Sequence, residues 1–181
     1  MFKAIISLML SGFLAVPVAG FVAATPFPEK VAKADVIARG VVVKIIQLTT
    51  DITDSRGPSS EEVTDKGFSG PNAIALFRVT ETLKGKLEPN QSVVFVPCGY
   101  SFDESPSELT DTKEYVLFLK DLTRNYYHPT TSYSIHRVQD GRVCISGFDW
   151  DENFKPENIE KETEPVGKFI QKIKAAMVAT K

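Results

Sequence analysis

Histidine, cysteine and tryptophan are scarce in this chain, at two, two and one among 181 residues. His128 and His136 have no carboxylate at a fixed spacing, and neither Cys98 nor Cys144 has further ligand residues close by. No metal motif can be assembled from such positions, and the sequence implies no metal and no cofactor. Clusters of lysine and arginine are also missing. The formal net charge is −2, and that mild acidity argues against a nucleic-acid partner, whose affinity rests on neutralising phosphates. Internal repeats, low-complexity tracts and a second core are absent, which leaves one domain. What is present, 43% hydrophobic and 24% charged residues, is the balance of an ordinary globular protein.

One stretch lacks charge altogether. After Met1-Phe2-Lys3, residues 4–24 are uncharged, and Pro17 and Gly20 break the run before the small residues around Ala23-Ala24. This is the pattern of a signal peptide, 1–24, cut after Ala24, with a cut after Gly20 as the second choice. The competing reading is an uncleaved anchor, since the run approaches the roughly 20 residues that cross a bilayer. Ser7, Ser11, Gly12, Pro17 and Gly20 dilute its hydrophobicity and favour cleavage. No cysteine follows the run, so a lipid-bearing N-terminal cysteine is excluded. The mature chain, 25–181, is expected to be secreted or periplasmic, with no stable membrane insertion. It carries 20 positive against 23 negative side chains once Lys3 is removed, a net −3. In an exported protein the two cysteines, Cys98 and Cys144, are most simply read as one disulfide. The alternative is two separate buried thiols.

The organising segment is Ala-Leu-Phe-Arg-Val-Thr-Glu-Thr-Leu-Lys-Gly, residues 75–85. Its alternation predicts a strand with Phe77, Val79, Glu81 and Leu83 on one face and Arg78, Thr80 and Thr82 on the other. Gly85 then closes it with a turn. Ahead of it, Pro28 followed by Glu29-Lys30-Val31-Ala32-Lys33-Ala34 predicts a short helix. Residues 35–48 predict a long strand with a bulge or bend at Gly40, the kind of first strand that small closed barrels use. Residues 49–70 are polar and aperiodic, a long exposed loop. Later strands are expected over 92–96 and 114–120, the second nearly continuous in apolar residues and suited to burial on both faces. Asn125-Tyr126-Tyr127-His128-Pro129 is expected as an aromatic loop. Residues 132–138 and 142–146 flank Asp140-Gly141 and predict a hairpin. Residues 147–161 are acidic and irregular. Val166, Phe169, Ile170, Ile173 and Met177 then recur with helical spacing behind Pro165, an amphipathic helix with an apolar face for packing.

Taken in order, Ala34-Asp35-Val36 with Gly40 and Val42, Phe77-x-Val79-x-Glu81-x-Leu83-Lys84-Gly85, Cys98-Gly99 and residues 113–119 (Lys-Glu-Tyr-Val-Leu-Phe-Leu) form a succession. It resembles the small exported bacterial proteins similar to the netrin and tissue-inhibitor-of-metalloproteinase (TIMP) module, over about residues 29–146. The resemblance implies a mainly β fold: a five- to six-stranded barrel of the oligonucleotide/oligosaccharide-binding (OB) type, a short N-terminal helix and a C-terminal amphipathic helix. The matching residues are structural rather than catalytic. Inhibitors of that superfamily begin with a Cys-x-Cys that chelates the protease zinc, whereas the mature chain here begins Thr25-Pro26-Phe27-Pro28. Metalloproteinase inhibition does not carry over.

Two functional classes follow. The first is a non-catalytic binding or protein-interaction module, inhibitor-like in kind, for a protein or small ligand. Its candidate surface is an aromatic platform of Phe102, Tyr126, Tyr127 and Tyr133, since barrels of this type bind on such a face. The alternative is a periplasmic or secreted hydrolase using His128 or His136, which requires an acid within hydrogen-bond reach of one of them. Asp149, Asp151, Asn153 and Glu160 have the spacing of EF-hand ligands. Phe154 stands where that loop needs glycine and Pro156 interrupts it, so a solvated acidic linker is the better reading. Asn90-Gln91-Ser92 is a glycosylation sequon if the source modifies exported proteins.

Overall fold

The computed structural model describes residues 25–47, 73–88, 91–98, 109–123, 125–130, 132–147 and 151–179. The leader, the loop over 49–70 and Phe102 lie outside the described residues. Chain order begins with helix α1 (Phe27–Lys33), then strands β1 (Val36–Gln47), β2 (Ala73–Lys84), β3 (Val93–Cys98), β4 (Glu114–Thr123) and β5 (Tyr126–Pro129). The hairpin β6 (Ile135–Gln139) and β7 (Arg142–Cys144) follows, then a helical turn α2 (Ile159–Glu162), strand β8 (Thr163–Pro165) and helix α3 (Val166–Ala179). The fold is mainly β, as the sequence predicts.

All eight strands belong to one sheet, and five of them form a ring: β1 pairs with β2, β2 with β3, β3 with β5, β5 with β4, and β4 returns to β1. The closure works because β1 is long and bent enough to serve two neighbours. Its first half, Val36 to Val41, pairs with β4 while also facing β2, and its second half pairs with β2 alone. Gly40 sits at the crowded crossing. A Cβ there would lie 2.2 Å from the Arg78 carbonyl oxygen and 2.8 Å from the Phe77 ring, so only glycine lets the two strands approach.

The bend predicted at Gly40 is present, but its extra residues lie largely on the partner strand. Ala38 opposes Thr82, Arg39 opposes Glu81 and Gly40 opposes Val79, which leaves Thr80 and Leu83 of β2 as inserted positions. Each insertion moves the alternation by one residue. Phe77 and Val79 therefore share a face as predicted, turned to the ring interior, whereas Leu83 turns to the opposite layer. The single face expected for Phe77, Val79, Glu81 and Leu83 is divided by these bulges.

The sheet buries apolar side chains on both faces. Val36, Ala38, Val42, Ala75, Phe77, Val94, Val96, Tyr115, Leu117 and Leu119 fill the ring interior. On the outside, Ile37, Val116, Phe118, Val138 and Val143 pack under α1 and α3 against Val31, Phe169 and Ile173. Strand β4 contributes alternately to both layers, which is why its sequence is almost continuously apolar. The predicted stripe of α3 is the face that docks, with Phe169 and Ile173 fully covered.

Local chemistry explains the hairpin too. Asp140 and Gly141 both hold positive φ, 51° and 74°, matching the twist that a two-residue turn needs between antiparallel strands. Two elements depart from expectation. Residues 126–129 form strand β5 rather than a loop, pairing with β4 on one side and, parallel, with Phe95 on the other. The irregular acidic region ends in β8, which adds Thr163 beside Cys144 and Glu164 beside Val143.

Cys98 and Cys144 do not form the expected disulfide. Three strands, β5, β4 and β6, separate β3 from β7 in the sheet, so the two thiols occupy different neighbourhoods. Cys98 packs in the ring interior, where burial pushes its thiol up to about 11 and leaves it protonated and inert. Cys144 is buried among polar groups near α1.

Candidate functional site

Among the described residues, two places have chemistry beyond packing. The first is an outward face of the ring. Because Val94 and Val96 point inward, Phe95 between them points out, and it is 36% exposed. Its cross-strand partners are Leu76 of β2 on one side and Tyr126 of β5 on the other. Lys44 continues this row on β1. A second row lies alongside it, running from Ile46 through Ile74 to Pro97. Ile46 is 40% exposed, and Ile74, Leu76 and Tyr126 are half-buried. The result is a largely apolar patch, edged by Lys44, across four strands of the ring.

The three described members of the predicted aromatic platform are dispersed by this geometry. Tyr126 joins the outward patch. Tyr127, next in a strand, points the other way and is buried in the ring interior. Tyr133 lies in a 3-10 turn ahead of β6, and its carbonyl accepts a hydrogen bond from Lys30. Phe95, which sequence reasoning missed, takes the central position. Its signal was the single large residue at an outward position of a β-branched strand.

The second place is a polar cluster under α1. Phe27, Lys30, Val31 and Ala34 lie on one face of the helix at spacings of three, four and seven, so the sheet side of α1 carries one cation among apolar groups. Lys84, at the end of β2, fixes this helix by donating to the carbonyls of Val31 (2.7 Å), Ala32 (3.1 Å) and Ala34 (2.5 Å), satisfying its otherwise open C-terminus. Lys30 is thereby held 4% exposed. Its ammonium donates to the Tyr133 carbonyl and reaches His136 Nε2 at 3.2 Å, lying 5.7 Å over the Phe118 ring. Burial lowers its pKa from 10.5 to about 8 against a smaller, opposing effect of Cys144.

His136 is completely buried, with its ring against Phe118 and Phe169. Its Nδ1 is 2.8 Å from the Cys144 carbonyl, which only accepts, so the proton is assigned to Nδ1 and Nε2 accepts from Lys30. Desolvation first, then the Lys30 charge, hold its pKa down to about 3. Both ring nitrogens are engaged, and no described carboxylate lies within reach. His136 is thus a structural relay between α1 and β7 rather than a general base. Among the predicted positions, His128 lies on β5 opposite Lys120 of β4.

The acidic linker is tied down as well. Asp151 pairs with buried Arg137 at 2.5 Å, Asn153 donates to the Cys144 sulfur at 3.0 Å, and Glu160 lies 3.6 Å from Arg142. Three of the four positions with EF-hand spacing therefore have separate partners, and no described group of His, Cys, Asp or Glu is arranged to hold a metal.

Beside Lys30 a cavity of about 450 Å³ opens between α1, α3 and the ends of β7 and β8. Phe27, Phe169 and Ile145 form its apolar walls, with Ser146, Glu164 and Lys172 among its polar lining. No protein-family model matches the chain, and no curated protein is detectably similar to it.

Proposed function

We propose that this chain is an exported, non-catalytic interaction module, an OB-like barrel similar to the TIMP and netrin modules, acting in the periplasm or outside the cell. The observation that carries the reading is the outward row Leu76–Phe95–Tyr126 beside Ile46–Ile74, an apolar surface built across paired strands. Apolar side chains arranged in this way, with an aromatic at the centre, are what a protein partner buries. The ring of five strands and the two flanking helices support the barrel comparison. The uncharged leader behind Lys3 supports export. Catalysis by His136 has no support in its surroundings.

A photo-reactive residue at Phe95 or Tyr126 tests this directly in the exported compartment. One protein partner is expected to cross-link from both positions and not from the Asp140 turn. Phe95→Asp, in a chain that still folds, is expected to abolish capture at Tyr126. Equal capture from the turn, or none from the patch, overturns the assignment.

A further inference from the structure

We propose that the cavity between α1 and α3 is a binding site for a small monocarboxylate with an apolar tail, whose carboxylate is held by Lys30. This site is separate from the outward patch and stands or falls independently of it.

The argument begins with charge. Lys30 is buried, and no carboxylate among the described residues compensates it. The nearest acid along the cavity, Glu164, is already matched by Lys172 at 2.6 Å and by Lys168 at 3.6 Å. Glu164 is thus fully matched by two lysines of α3, and Lys30 has no share of it. A desolvated cation without a counter-charge is costly, and an anionic ligand removes the cost.

Geometry narrows the class. An ammonium has three donors, and Lys30 commits two of them, to the Tyr133 carbonyl and to His136 Nε2. The third remains for the cavity that Lys30 lines, beside the hydroxyl of Ser146. The Ser146 hydroxyl already meets Cys144 Sγ at 3.2 Å, so Lys30 offers the cavity a single donor, which suits one singly charged carboxylate, while a phosphate dianion needs more. The remaining walls, Phe27, Phe169 and Ile145, demand an apolar body, and about 450 Å³ is the size of a small-molecule site.

The groups that face Lys30 are His136 on β6 and Cys144 on β7, with Glu164 on β8 and Lys172 on α3 farther along the cavity. His136 stays neutral from pH 6 upward. Binding is therefore expected to weaken as pH rises through about 8, where Lys30 loses its proton.

Calorimetric titration of the purified full chain with octanoate, octan-1-ol and octylamine tests the proposal. Octanoate is expected to bind at least tenfold more tightly than octanol, and octylamine not at all. Lys30→Met keeps the apolar stem and is expected to weaken octanoate at least tenfold, with thermal melting confirming that it folds. Ile145→Trp, at a position 40% exposed, fills the cavity mouth and is expected to abolish binding without disturbing the core. Octanoate binding no better than octanol, or unchanged in Ile145→Trp, overturns the proposal even if Lys30→Met fails to fold.

Discussion

A buried imidazole makes a measurable demand on pH. His136 has a folded pKa of about 3, against 6.5 for the unfolded chain. Protons bind the unfolded chain first as pH falls. Its contribution to stability is therefore complete above pH 6.5 and is lost towards pH 3, at about 1.4 kcal/mol per pH unit. Urea unfolding between pH 7 and pH 4.5 is expected to show this slope, and His136→Gln should flatten it. Parallel profiles for the two proteins would mean that folded His136 protonates freely. The cysteines are the other residue-scale case. Denatured, unreduced protein is expected to titrate as two thiols, since Cys98 and Cys144 are held in separate neighbourhoods. Absence of reactive thiol, with a monomeric mass, would restore the disulfide. Parity of cysteines in an exported chain suggested the bond, but pairing depends on strand order, which no count of residues contains.

Elements with a strong local pattern were legible. The stripe of α3, the apolar run of β4 and the Asp140-Gly141 turn each encode their conformation within a few residues, and β2 was legible as a strand although its bulges divide the face its alternation predicts. Strands β5 and β8 do not, because four and three residues become strand only when neighbours supply the ladder. The candidate sites follow the same division. The sequence shows Lys30 only as part of a short helix, because its partners Tyr133 and His136 come from positions more than a hundred residues away. Phe95 became central only through its pairing with Leu76 and Tyr126. At this scale the docking of α3 is the feature to test. Phe169 touches Phe27, Phe118 and His136, so Phe169→Asp would place a charge in that cluster and cost several kcal/mol. A melting temperature equal to the parent's would show that the helix is not held there.

The whole molecule depends on β1 being shared between β2 and β4. Gly40→Val is expected to cost about 3 kcal/mol or more by forcing β1 and β2 apart, read as a lower urea midpoint. An unchanged midpoint would show that the strands have room at this crossing. The same arrangement has a consequence in time. Val36 and Leu119 are partners 83 positions apart in sequence, and bringing such distant segments together costs on the order of 4 kcal/mol of chain entropy before any contact forms. While the chain is being made, β1, β2 and β3 can assemble as soon as they exist, but β1 keeps an open edge until β4 emerges. Ring closure is then the slow, non-local event, and the nascent chain passes through an interval in which β1, one of its two longest strands, is a template for any other extended segment.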